Sequence, residues 1–279
     1  MISIMVCDII LGCQNWGLGP KLGPMRTSLK SLITIATFSA AAQASSPKPE
    51  LVAQEVPVTN IFAPAVGYDD NDLVQLVVEG NLPNGCYRQD RTSISTDLAT
   101  HTINVVQFAT RLSDGVCEKA DAELSPELKR SVHFMNDVNV GVLEVGEYHV
   151  AYNVVGGQVL RPLAVAKAPV TTIDSLHYAH VHFAFVQDQV DSSQKTMRVE
   201  FSGLLSSSCV ELEDVVPAQL VDDVLILMPQ ITVSDDICMP VERRFMKEID
   251  VVVPKTPGRY MLHVRSSNGE AVNRLFSVK

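Results

Sequence analysis

Apolar residues along this chain fall in short blocks and alternations, without the three-to-four-residue recurrence of an amphipathic helix. Residues 73–78 (LVQLVV), 103–108 (INVVQF), 148–152 (YHVAY), 181–186 (VHFAFV), 224–228 (VLILM) and 260–264 (YMLHV) are compact runs rich in Val, Ile, Leu and aromatics. Turn clusters such as Pro83-Asn84-Gly85, Ser113-Asp114-Gly115 and Ser267-Asn268-Gly269 interrupt such runs. Strands of this length, spaced by about 8–12 residues, predict an all-β fold of the sandwich type. Only residues 123–129, which include Ser125-Pro126, have the composition of a short helical turn.

The same pattern occurs twice. Gly80-x-Leu82-x-x-x-Cys86 matches Gly203-x-Leu205-x-x-x-Cys209, and Ser113-Asp114-x-x-Cys117 matches Ser234-Asp235-x-x-Cys238. Phe134-Met135 with the following Val138 and Val140 matches Phe245-Met246 with Ile249 and Val251, and Gly146-x-Tyr148 matches Gly258-x-Tyr260. Four blocks in the same order, offset by 123, 121, 111 and 112 residues, indicate one duplicated unit with an insertion near 120–129 in the first copy. A period of this size describes a duplicated domain; solenoid repeats run about 20–50 residues. The expected organisation is a first sandwich over 56–167 and a second over 168–279, preceded by a linker at 45–55.

The amino terminus reads as an export leader. Within residues 25–44, Arg26 and Lys30 supply the basic region, residues 32–42 the apolar core, and Ala42-Gln43-Ala44 a small-x-small cleavage site. The apolar core is too short to span a bilayer, which takes roughly 20 residues. Residues 1–24 read as an over-extended start, with Met25 as the initiator. A rival reading takes Ile10-Leu11-Gly12-Cys13 as a lipobox with Cys13 as the lipid anchor. The expected location is therefore the periplasm or the exterior. Four cysteines, Cys86, Cys117, Cys209 and Cys238, follow the cleavage site and allow three pairings. The duplication selects Cys86–Cys117 and Cys209–Cys238, because a copied unit carries its own pairing.

The tail of each copy resembles the tyrosine corner of immunoglobulin-like domains, with Gly146-Glu147-Tyr148 and Gly258-Arg259-Tyr260 in the corner positions. At this level the chain resembles exported bacterial proteins with tandem immunoglobulin-like β-sandwich repeats. It departs from antibody domains where Val150 and Leu262 stand in place of the second cysteine. Such sandwiches host many unrelated functions, so the resemblance implies architecture alone.

Charge and motifs narrow the chemistry. The chain has 22 Lys and Arg against 32 Asp and Glu, a net charge of −10, and loss of residues 1–44 would leave 19 against 31. Without a basic run this argues against nucleic acid or an anionic membrane as partner. No HExxH, GxSxG, Walker-type or GxGxxG motif occurs after the leader. Three features carry candidate chemistry. His177, His180 and His182 lie within six residues, and on a strand His180 and His182 would share a face about 6–7 Å apart, suited to zinc or copper. The alternative for them is a plain polar strand face. Asp69-Asp70-Asn71-Asp72 offers clustered oxygen atoms but lacks the EF-hand order, which favours a solvated turn over calcium. Glu211-Leu212-Glu213-Asp214 and Asp222-Asp223 read as solvated surface. The residues matched between copies are mainly Gly, Cys, Leu, Phe, Val and Tyr, which build turns, disulfides and cores. The expected protein is a non-catalytic exported binding or structural protein with an unidentified envelope or extracellular partner and no cofactor. The alternative is a periplasmic metal-binding protein or metalloenzyme using the His177–His182 strand.

Overall fold

The computed structural model describes residues 52–112, 115–117, 123–168, 177–234 and 237–279. The expected leader, the segment before it and the Cys13 lipobox lie outside them. The first stretch, within 52–168 (the second lies within 177–279), contributes β1 (Val52–Glu55), β2 (Asn60–Phe62), β3 (Tyr68–Asp69), β4 (Val74–Leu82) and β5 (Tyr87–Asp97). It continues with β6 (Thr102–Arg111), β7 (Val132–Gly141), β8 (Gly146–Val154) and β9 (Gly157–Ala166). The second stretch contributes β10 (His180–Val186), β11 (Gln189–Val190), β12 (Thr196–Leu205), β13 (Val210–Leu212) and β14 (Ala218–Val221). It ends with β15 (Val224–Leu227), β16 (Ile231–Val233), β17 (Arg243–Val252), β18 (Gly258–Arg265) and β19 (Ala271–Val278). The protein is all-β, as the apolar pattern predicts. Its sheets are open, and among the described residues no helix is long and apolar enough to cross a membrane. Residues 125–130 make the expected single turn, with Lys129 N–H donating to the Ser125 carbonyl at 3.0 Å.

Each stretch has a three-stranded antiparallel sheet, β2-β4-β7 and β10-β12-β17. Facing these are β1-β6-β8-β9-β3, with β5 on the far side of β6, and β11-β19-β18-β15-β14. A small pair, β13-β16, completes the second stretch. In both large sheets the later strand of a hairpin runs parallel to the strand bearing the G-x-Y motif. Thr102 pairs with His149 on β6 and β8, and Val224 with Met261 on β15 and β18. The first core gathers Leu76, Val78, Ile103, Tyr148, Val150 and Leu163 between its two sheets. The second gathers Val199, Phe201, Leu227, Leu262, Val264 and Phe276.

Tight contacts explain the recurrent motifs. Gly80 on β4 faces Phe134 on β7, and Gly203 on β12 faces Phe245 on β17. A methyl group on Gly80 would fall 2.5 Å from the Phe134 ring; on Gly203 it would fall 2.0 Å from the His180 carbonyl oxygen. Both G-x-Y tyrosines are buried and donate to a backbone carbonyl four residues upstream, Tyr148 to Glu144 at 3.1 Å and Tyr260 to Thr256 at 2.7 Å. Burial raises the pKa of both phenols. Disulfides join Cys86 to Cys117 and Cys209 to Cys238.

A third apolar cluster joins the two stretches. Phe62 and Val77 meet Val224, Ile226 and Met261, with Met135 and Leu275 at the margin. The strands involved are covered on both faces, which is why residues 73–78, 224–228 and 260–264 read as nearly continuous apolar runs. Charged groups ring this junction. Glu79 accepts from Arg259 at 2.7 Å and contacts His133 Nε2 at 2.8 Å. Arg161 forks onto Asp223, and Arg265 pairs with Asp72 at 3.5 Å. Asn273 bridges the stretches by donating to Asp137 at 2.9 Å while its carbonyl faces His263 Nδ1 at 2.8 Å.

Candidate functional site

One end of the second stretch holds a cleft of about 360 Å³. Its first wall is the segment entering β10. His177 accepts from Ile231 N–H at 3.0 Å and Ala179 donates to Pro229 at 2.9 Å, which lays this segment along β16. Tyr178 and Ala179 turn inward and are buried, leaving His177 and His180 exposed. The Arg265 guanidinium lies over the Tyr178 ring at 5.8 Å. The second wall is a 3-10 turn at Ser267–Gly269, where Asn268 adopts φ 63°. The preceding Ser266 is buried, and its hydroxyl accepts from Val181 N–H at 2.9 Å and donates to Val181 O at 3.1 Å. The third wall is apolar, formed by Leu204, Val210 and Ile231.

The cleft brings together groups that chemistry could use. His180 Nδ1 lies 3.2 Å from the Ser267 hydroxyl. A hydroxyl beside an imidazole is one part of a nucleophile; the rest is a group orienting the base and donors for an oxyanion. Among the described residues no carboxylate is hydrogen-bonded to His180. The cleft offers a mixed surface of imidazole, hydroxyl, amide and aliphatic groups, which suits recognition of a partly apolar ligand.

The three sequence-predicted histidines are only partly gathered. The His180 and His182 rings lie 6.5 Å apart, tilted by 44°. A bulge between Val181 and Phe183 interrupts the alternation of β10 there. His177 and His180 line the cleft, whereas His182 borders a hollow on the outward face of β10-β12-β17. Among the described residues no group of three or more His, Cys, Asp or Glu is placed to hold a metal ion.

Beside the cleft, a loop carries exposed apolar side chains. Ile237 is 98% exposed, and Met239, Val241 and Val233 are also largely exposed. The Cys209–Cys238 disulfide anchors this loop, helped by Ser208 N–H donating to Met239 O at 3.0 Å and Met239 N–H donating to Ser208 Oγ at 2.9 Å.

Some residues of the acidic segments have structural roles, while Glu211 and Asp214 are exposed. Asp72 is buried, accepts from Asp69 N–H at 2.9 Å and pairs with Arg265. Asp70 accepts from Lys167 at 2.5 Å and from Ala168 N–H at 2.8 Å, and these bonds, Lys167 first, lower its pKa. Asp223 belongs to the junction through Arg161, while Asp214 is the exposed surface group expected. Tyr178, Ser266 and Ser267 are the site residues that sequence reasoning passes over. Their only signal is the turn cluster Ser267-Asn268-Gly269. Comparison of the chain with protein-family models, with curated proteins and with solved structures finds no match.

Proposed function

We propose that the chain is an exported, non-catalytic binding or structural protein of the cell envelope or extracellular space. In this reading it comprises two tandem immunoglobulin-like sandwiches related by internal duplication, with loops at a sandwich end making the contact. One observation carries the binding role: the apolar loop at 237–241, tied by a disulfide beside an open cleft. Exposed apolar side chains grouped in this way mark interaction surfaces. The two disulfides support an oxidising compartment. The paired tyrosine corners and the paired glycine–phenylalanine contacts support the duplication. The parallel β6–β8 and β15–β18 pairings depart from the all-antiparallel sheets of immunoglobulin domains, so the likeness is one of architecture.

The test is cross-linking in the exporting cell. With Ile237→Asp and Met239→Asp together, the wild-type adduct should disappear while the thermal midpoint holds. An adduct unchanged by both substitutions would remove this loop from the proposal. Turnover of an ester or amide substrate that is lost in Ser267→Ala would replace the non-catalytic reading altogether.

The 6.5 Å spacing of the exposed His180 and His182 rings favours a second reading, a zinc- or copper-binding protein. Stoichiometric metal in the purified protein, lost on combined His180→Ala and His182→Ala substitution, would put it first.

A further inference from the structure

The two three-stranded sheets differ in what covers their outward faces. On β2-β4-β7 that face packs into the junction, where Phe62, Val77 and Met135 meet Ile226 and Met261. On β10-β12-β17 it is open: Phe183 is 40% exposed, Phe185 51% and Met246 70%. Met135 and Met246 occupy like positions, each next to the phenylalanine that covers the central glycine. One is half-buried at an interface and the other stands in solvent.

The open face is also ordered in charge along the strand axis. Cross-strand pairing sets His180, Leu204 and Arg244 in one row, then Phe183, Ser202 and Met246, then Phe185, Glu200 and Glu248. Arg198 and Asp250 form the next row. The first row is therefore basic, the second apolar, and the third holds two carboxylates directly opposite each other. Like charges in that relation are unfavourable, and among the described residues Arg198 forms an ion pair with Glu248, at 3.3 Å, and none with Glu200. A second cation over Glu200 and Glu248 would relieve the repulsion.

We propose that this face is the contact surface of a two-fold homodimer. A two-fold axis parallel to the sheets, perpendicular to the strands and passing through the Phe183–Ser202–Met246 row maps each row onto its opposite. The apolar row then meets itself, and Arg244 of each copy lies over Glu248 of the other, twice by symmetry. An axis along the strands would instead set Arg244 against His180 and leave the paired carboxylates unrelieved, so the charge order selects the first arrangement. Another open sheet face among the described residues, on β6 and β8, is less suitable. At the positions where β15 and β18 present Val224, Ile226 and Met261 to the junction, it presents Thr102, Asn104 and His149.

Sedimentation velocity of the full chain over about 1–100 µM at low salt should show a monomer–dimer equilibrium. Met246→Glu should make the protein monomeric, and Arg244→Glu or Glu248→Arg alone should weaken the dimer roughly tenfold or more. Mixing the Arg244→Glu and Glu248→Arg proteins should restore it, since both contacts then pair opposite charges. Near-UV circular dichroism unchanged in each variant separates lost contact from lost fold. A wild-type chain monomeric throughout, a dimer indifferent to all three substitutions, or a face occupied only by a different protein would each overturn the proposal. The loop at 237–241 is not part of this face, although His180 and Leu204 border both the face and the cleft, so the cross-linking test with Ile237→Asp and Met239→Asp reads the loop separately.

Discussion

His263 shows what the junction does to a single side chain. It sits on β18 among Met261, Leu262 and Val264, is 4% exposed, and its ring has Asn273 as hydrogen-bond partner among the described residues. Burial, with the nearby Arg265 charge adding to it and the Asn273 bond opposing, pushes its pKa from 6.5 down to about 4. In the unfolded chain it takes a proton near its ordinary value; in the folded chain it stays neutral well below that. The unfolded state thus binds more protons between roughly pH 6.5 and 4, and stability falls as pH drops through that window. The contribution is of order 3 kcal/mol at full extent. His263→Gln, which keeps a polar group towards Asn273, should flatten the decline in thermal midpoint between pH 7 and 4. An equally steep decline in the variant would show that other groups drive it. In the sequence, His263 is a single polar letter inside an apolar run. Its burial is illegible there, because it depends on a surface contributed more than a hundred residues away.

At the scale of strands, local sequence is more informative. Run lengths and turn clusters mark most strands, and G-x-L-x-x-x-C marks the crowded crossing of a central strand and its neighbour. Gly203→Ala would drive its methyl into the backbone of β10 at the His180 carbonyl, whereas Gly80→Ala meets mainly the movable ring of Phe134. We expect Gly203→Ala to cost about 3 kcal/mol and Gly80→Ala roughly half that, measured by urea unfolding; the reverse order would contradict this reading of the contacts. What the letters do not carry is the bulge in β10, which interrupts the alternation after His182 and turns Phe183 and Phe185 to solvent. Nor do they carry the parallel pairing of β15 with β18. Both are set by the neighbouring strand, and neither leaves a periodicity in the strand itself.

For the whole molecule, the junction decides behaviour. Phe62, Val77, Ile226 and Met261 exclude water between the two stretches, and Glu79 with Arg259 sits beside them. We expect wild-type protein to unfold in one calorimetric transition. Met261→Asp, which places a charge in this apolar cluster at a cost of at least about 2 kcal/mol, should split that transition in two. A single unshifted peak in the variant would mean that the stretches are not energetically coupled. The ion pairs of this junction are absent from any reading of the chain alone, since Glu79 and Arg161 belong to no motif, Arg259 fills only the variable place of G-x-Y, and the three meet their partners only through the fold.

The disulfides and the parallel strands together bear on time. The hairpin of β5 and β6 is local, closed by a short turn, and Cys86–Cys117 ties its open ends, with Leu112 N–H donating to Cys86 O at 3.0 Å. Its attachment to β8 is not local, since a parallel neighbour cannot zip up from an adjoining turn and must search over a long intervening chain. Such a hairpin can close before it meets β8, and β14–β15, extended by β13–β16 and closed by Cys209–Cys238, repeats the arrangement at β18. Oxidation before docking would hold each block intact during that search, while a reduced chain would fray and begin again. We expect the covalent bond to shorten the wait for this non-local contact, and so to limit how long the apolar strand faces stay exposed to other chains.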